Sequence, residues 1–268
     1  MQRIRTLDEL SKLITAQFRR GVVTNSAFAA DLYAREIDAG TLLAQQIPGG
    51  LLLFRHRDGF ERLSFYLQPE AELAACCFAG TTMLELPKKP QDPAMQQMQL
   101  RWTELGFETV LTRQRMVLKD KIAAMQPTEG YSIRLAEPSD TEEIIRILNE
   151  VYVPETACLP TEEELRTDLP VGNVLVAVTP EHELAGVLRV LRAGNTMQIR
   201  HLAVEPTHRR RGIASQLLAR IDALHDVKRT NLWVTMGNES AIGLYEKLGY
   251  ACDGWTSTVL RYDEERKD

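Results

Sequence analysis

The sequence predicts a mixed α/β protein made of two successive domains that share one architecture. Two observations carry this expectation: the order of helix-like and strand-like segments in the second half, and the return of that order, with the same ending, in the first. Composition sets the bounds. The chain has 268 residues, 44% apolar and 26% charged, which suits two domains of common size and an ordinary globular interior.

In the second half the chain restarts after Pro127 and Gly130 with an edge-strand alternation over residues 131–135. Ser139 with Glu142 three residues later reads as a capping box opening a helix, because Ile144, Ile145, Leu148 and Val151 follow at helical spacing. Thr161 and Glu164 repeat the signal before a shorter helix that must stop by Pro170. Strand-like runs follow at 173–178, 183–191 and 197–204, joined by turns at 179–182 and 193–195. A helix is expected over 212–225, with Ile213, Leu217, Leu218, Ile221 and Leu224 on one face. A strand at 231–235, a helix at 240–248 ended by Gly249, and a strand region at 251–262 broken at Asp253 and Gly254 complete the domain. The order is β-α-α-β-β-β-α-β-α-β, a meander followed by a strand–helix crossover.

The first half ends in the same way. Trp102, then Leu105-Gly106-Phe107 and a strand to Leu118, parallels Tyr245, then Leu248-Gly249-Tyr250 and its strand. Upstream, helices are expected near Thr6, with Glu9 as capping partner, and near Asn25, followed by strands at 41–46, 51–55 and 63–67. This suggests an internal duplication, with domains at 1–125 and 130–268 and the boundary in the stretch 119–130.

Charge and cysteines narrow the function classes. Residues 1–127 hold 16 basic and 14 acidic side chains and residues 128–268 hold 16 and 23, giving about +2 and −7. A domain at −7 is a poor nucleic-acid binder, since that affinity comes from clustered Lys and Arg facing phosphates. Cys76, Cys77, Cys158 and Cys252 form no C-x-x-C pair, so neither a metal site nor a disulfide framework is expected, and reduced thiols in a cytoplasmic protein are. No run approaches the ~20 consecutive apolar residues of a membrane span, and the first residues do not read as a signal peptide.

The most informative stretch is Leu202-Ala203-Val204-Glu205-Pro206-Thr207-His208-Arg209-Arg210-Arg211-Gly212-Ile213-Ala214-Ser215. A strand ends at Val204 and a helix begins at Gly212. The small residues Gly212, Ala214 and Ser215 leave the first-turn amides unshielded, and those N–H groups with the helix dipole make an anion site. Gly212 allows close approach of a phosphate, and three arginines add charge around it. Asn238, Ala241 and Tyr245 then lead into Leu248-Gly249-Tyr250.

Together these two motifs resemble the GNAT family of N-acetyltransferases, whose pyrophosphate loop reads Gln/Arg-x-x-Gly-x-Gly/Ala and is matched here by Arg209-x-x-Gly212-x-Ala214. The resemblance spans nearly all of residues 130–262. It implies the mixed-sheet acyl-CoA N-acyltransferase (GNAT) fold, as two tandem GNAT-like domains. It also implies acetyl-CoA as cosubstrate, and transfer of its acetyl group to a primary amine of a small molecule or amino-acid-like acceptor by direct attack in a ternary complex. By the resemblance, the backbone of Leu202, Ala203 and Val204 would pair with the pantetheine amides, in a gap where this strand splays from the one after it. Arg209, Arg210, Arg211, Gly212, Ile213, Ala214 and Ser215 would hold the pyrophosphate. Asn238 would cap its helix and contact the cofactor arm, and Tyr245 would be the general acid that protonates the leaving thiolate.

The general base is left between His201 and Glu205, because the position where some relatives carry a glutamate is Gln198. The first half lacks the loop: Leu67 is followed by Gln68-Pro69-Glu70-Ala71-Glu72, and Trp102 stands where Tyr245 does. It is expected to be a degenerate copy without cofactor binding. Two other functions compete: a non-catalytic acyl-CoA sensor, and a protein or peptide N-acetyltransferase. Retention of Tyr245 and Asn238 favours an enzyme.

Overall fold

The computed structural model describes residues 1–26, 30–123 and 128–266; part of the expected boundary, 124–127 with Pro127, lies outside them. The chain forms two compact units, Met1–Arg113 with Gly254–Asp268, and Gln114–Asp253. Its strands are β1 Gln2–Arg3, β2 Val23–Thr24, β3 Leu42–Ile47, β4 Gly50–Arg57, β5 Phe60–Leu67, β6 Thr81–Lys88, β7 Glu108–Leu118, β8 Ser132–Leu135, β9 Val174–Val178, β10 Leu184–Ala193, β11 Thr196–Val204, β12 Arg229–Thr235 and β13 Ala251–Asp263. The helices are α1 Leu7–Gln17, α2 Ala30–Asp38, α3 Pro93–Glu104, α4 Thr141–Val151, α5 Pro154–Ala157, α6 Glu162–Asp168, α7 Ile213–Leu224 and α8 Glu239–Lys247.

The second unit is a mixed sheet with helices on both faces. β8, β9, β10 and β11 form an antiparallel meander, and β12 joins β11 in parallel after the α7 crossover. Every residue of β9 is buried, as expected of a strand covered on both faces. On one face Ile213, Leu217, Leu218 and Ile221 of α7 pack with Leu175, Leu188, Met197 and Tyr245. On the other, Ile144, Ile147 and Leu148 of α4 and Leu165 of α6 pack with Val176, Val187 and Ala203. A buried ion pair, Arg189 Nη2 to Asp168 Oδ2 at 2.6 Å, ties the end of α6 to β10.

Three local expectations change. Ser139 does not cap α4: a 3₁₀ turn, Pro138–Asp140, precedes the helix, and the Asp140 carboxylate accepts from the Glu137 N–H at 2.7 Å and pairs with Arg134. β13 is continuous through Asp253 and Gly254. Gly254 takes φ +84° without leaving the strand, and Arg115 and Arg229 hold the Asp253 carboxylate. The helix expected near Asn25 is described from Ala30, and the Asn25 side chain binds two strands. Thr6 with Glu9 and Thr161 with Glu164 do form the expected caps.

The first unit repeats the plan. β3, β4 and β5 form a meander, and β6 joins β5 in parallel. Trp102 of α3 is fully buried among Phe65, Phe78 and Phe107. The sheet of this unit includes the last strand of the sequence: β13 pairs with β6 from Thr256 to Asp263, and Val259, Leu260 and Tyr262 lie in the unit's core.

A chain ending at Asp253 therefore loses one strand and three core side chains of the first unit, each contributing about 1.5–3 kcal/mol through burial. Limited proteolysis should then cleave within residues 1–113 much faster than in the full chain while 114–253 stays protected; equal cleavage would contradict the assignment of β13 to this core.

Candidate functional site

β11 and β12 pair for four residues and then part. The parallel register runs from Thr196 with Arg229 to Ile199 with Leu232, yet β11 continues to Val204 and β12 to Thr235. β10 covers the other edge of β11 along its whole length, so the opening faces β12. A bulge lies at the point of parting: Val190 pairs with Ile199 and Arg189 with His201, leaving Arg200 as the extra residue. The bulge turns His201 and Ala203 toward α4, and Leu202 and Val204 toward the core that contains Tyr245.

The open end of the splay leads into the basic loop. Pro206–His208 forms a 3₁₀ turn, Arg210 adopts a left-handed backbone at φ +65°, and Gly212 at φ +82° starts α7. Among the described residues no side chain caps α7, which leaves the N–H groups of Ile213, Ala214 and Ser215 to an anion. The arginines divide the work. Arg209 Nε donates to the Val204 carbonyl at 3.0 Å, and Arg211 Nη1 to the Tyr131 hydroxyl at 3.1 Å, which also meets His208 Nδ1 at 2.9 Å. These contacts brace the loop. Arg210 is exposed and makes no hydrogen bond among the described residues.

Tyr245 sits on α8 and packs edge-on against Tyr250 at 5.7 Å. Burial pushes its phenol well above the ordinary value of 10.0, with Tyr152 and Tyr250 adding to the shift, so it stays protonated at neutral pH. Asn238 caps α8, Oδ1 accepting from the Ala241 N–H at 3.2 Å. The two candidate bases are both engaged. His201 is buried, with Nε2 3.1 Å from the Ala157 carbonyl. Glu205 is ion-paired with Arg146 and lines a hollow of about 680 Å³ with His182, Glu183 and His208, away from Leu202. Gln198 lies within reach of Arg200 Nη1 at 3.5 Å.

Tyr152, which the sequence motifs do not point to, stands at this site. Its hydroxyl donates to the Leu202 carbonyl at 2.9 Å and accepts from the Leu202 N–H at 3.0 Å. The first unit has a splay of its own. β5 and β6 pair from Glu61 with Thr82 to Leu63 with Leu84 and then part. There the gap is filled by the chain: β2 pairs with β5 on the side away from β4, the Asn25 amide donates to the carbonyls of Leu63 and Glu85, and Asn25 Oδ1 accepts from the Phe65 N–H at 2.8 Å.

All four cysteines are free thiols. Among the described residues no group of His, Cys, Asp or Glu is placed to hold a metal ion, and no helix is long and apolar enough to cross a membrane.

Gly212 is required by backbone conformation as well as by access. An alanine there would adopt a left-handed φ at about 1–2 kcal/mol and place its Cβ 3.1 Å from Thr128 Oγ1. Gly212→Ala should lower unfolding free energy in urea by about that amount; an unchanged midpoint and slope would show that the loop does not hold this conformation.

Residues 170–252 match the acetyltransferase (GNAT) domain. The catalytic subunit NAT3 of the N-terminal acetyltransferase B complex of Saccharomyces cerevisiae is 28% identical over an aligned region covering 35% of this chain and 60% of the yeast protein, so the chain spans about 60% of that relative's length. A GCN5-related N-acetyltransferase from Sphaerobacter thermophilus superposes with a TM-score of 0.59 at 14% identity, over 91% of this chain and 96% of the other. A tandem GNAT protein from the clavulanic acid biosynthesis pathway does so with a TM-score of 0.58 at 15% identity, over 82% and 80%. The structural matches establish the fold, and residues 170–252 of the second unit carry the similarity to the acetyltransferase (GNAT) domain.

Proposed function

We propose that the protein transfers an acetyl group from acetyl-CoA to the primary amine of a small-molecule or amino-acid-like acceptor, by direct attack in a ternary complex. The observation that carries this reading is the continuity of an opened parallel-strand pair with an uncapped helix start in the second unit. Acetyl-CoA would supply a thioester carbonyl as the electrophile. The N–H groups of Ile213, Ala214 and Ser215, with the side chain of Arg210, would hold its diphosphate, while Arg209 and Arg211 keep the loop in shape. The peptide groups of Leu202, Ala203 and Val204 would receive its amide-bearing arm as a sheet edge receives an added strand. Asn238 would fix the start of α8 and, with it, the height of Tyr245.

Tyr245 is the general acid in this scheme. As the amine nitrogen bonds to the carbonyl carbon and the carbon–sulfur bond breaks, the phenol protonates the departing sulfur. A burial-raised phenol stays loaded with its proton across the working pH range. His201 or Glu205 would take the proton lost by the acceptor. The first unit is read as a GNAT-like repeat without cofactor binding, because β2 and Asn25 occupy its splay and no basic loop follows β5.

A second reading, with a peptide N-terminus as acceptor, draws on the name of the yeast relative. It differs in needing an acceptor groove open at both ends.

Titration of the purified chain with acetyl-CoA should give one equivalent bound per chain, and Gly212→Glu should abolish it. Two equivalents, or binding that survives the substitution, would reject the site assignment.

In a screen of amines for CoA release, Tyr245→Phe should lower kcat on the best acceptor by roughly 10²–10⁴-fold at unchanged acetyl-CoA affinity. The sign of the pKa shift predicts no loss of rate from Tyr245 up to pH 10, since its proton is held more tightly in the folded state than in the unfolded one. A wild-type rate in Tyr245→Phe, or a Tyr245-dependent alkaline limb near pH 8, would remove it from the mechanism.

A further inference from the structure

The two splays are closed by the same piece of chain. In the first unit β2 and Asn25 lie between α1 and α2, and in the second Tyr152 lies between α4 and α5. They also close on the same peptide. Phe65 is two residues past the last β5–β6 pair at Leu63, and Leu202 is two past the last β11–β12 pair at Ile199 once the bulged Arg200 is set aside. Phe65 gives its N–H to Asn25 Oδ1 at 2.8 Å and its carbonyl to Thr24 Oγ1 at 2.6 Å. Leu202 gives its N–H and its carbonyl to one atom, the Tyr152 hydroxyl.

The closures differ in how much chain must move to undo them. Opening the first would break the backbone pairs of Val23 with Leu67 and Thr24 with Tyr66, and both Asn25 amide contacts. Opening the second would break the two hydrogen bonds between the Tyr152 hydroxyl and the Leu202 peptide. The phenol meets Leu202 with one donor and one acceptor, which is what an amide laid along the strand edge would offer. Its ring stands edge-on to His201 at 5.6 Å, and it lies near enough to Tyr245 to perturb that phenol.

Resting on the acyl-CoA reading above, we propose that Tyr152 is a reversible stopper: in the ligand-free protein it satisfies the Leu202 peptide, and the amide-bearing arm of acyl-CoA displaces it. It acts as a positioning residue whose release admits the cosubstrate. The protein thus binds acyl-CoA with an affinity lowered by the fraction of molecules in which the stopper is closed. In the first unit the same segment has become a permanent strand.

The test is Tyr152→Phe, which removes one oxygen and keeps the ring. Isothermal titration with acetyl-CoA should show binding roughly three- to thirtyfold tighter than wild type, the range that loss of one or two competing hydrogen bonds represents. Amide exchange at Leu202 in the ligand-free variant should be faster than in wild type and should match it once both are saturated. A residue that merely supports the fold would loosen binding when altered, and a thermal melt of the variant checks that the fold is kept. Equal or weaker binding, or unchanged Leu202 exchange, overturns the stopper. Failure of both proteins to bind acetyl-CoA overturns the acyl-CoA reading itself.

Discussion

When two parallel strands part inside a sheet, the peptide groups facing the gap lose their partners, and a buried N–H or carbonyl without one costs about 1–3 kcal/mol. That requirement governs both units. At Phe65 it is met by the side chains of Thr24 and Asn25, held there by the short strand β2, and at Leu202 by one phenol. The first solution adds permanent sheet structure. The second rests on one side chain, and in the proposal above that peptide exchanges the phenol for a ligand amide.

The other half of the site follows from a second set of unsatisfied groups. α7 begins at a glycine in a left-handed conformation, and among the described residues no side chain turns back to cap it. Its first-turn donors and the positive end of its dipole therefore remain for an anion. The surrounding loop is kept rigid by Arg209 on Val204, Arg211 on Tyr131, and Tyr131 on His208. A ligand with an anionic group and an amide-bearing arm fits that pairing of features, and the family match over residues 170–252 agrees.

Much of this was legible in the sequence. Helical spacing and capping pairs located most elements of the second unit, and the Arg209–Gly212–Ala214 spacing located the loop and the start of α7 because both are local in sequence. The partners of Leu202 and Phe65 were not legible, since Tyr152 is 50 residues and Asn25 is 40 residues from the peptide it binds. β2 is two residues long and carries no alternation to read, and Asn25 reads as the neighbourhood of a helix start because Asn is common there. The place of β13 in the first unit was hidden for a related reason: its alternation shows a strand but not which sheet it joins. Titratability alone points to His201 and Glu205 in the sequence, and their engagement with Ala157 and Arg146 is a matter of packing that spacing does not reveal.

The central claim is that the acyl-CoA arm lies along β11 in the second unit and is excluded from β5 in the first. Backbone amide chemical shifts recorded as acetyl-CoA is added test it most directly. Shifts at Leu202 and at Ile213, Ala214 and Ser215, with Phe65 unmoved, are the expected result. Movement at Phe65, or a saturated protein with Leu202 unmoved, would contradict the account.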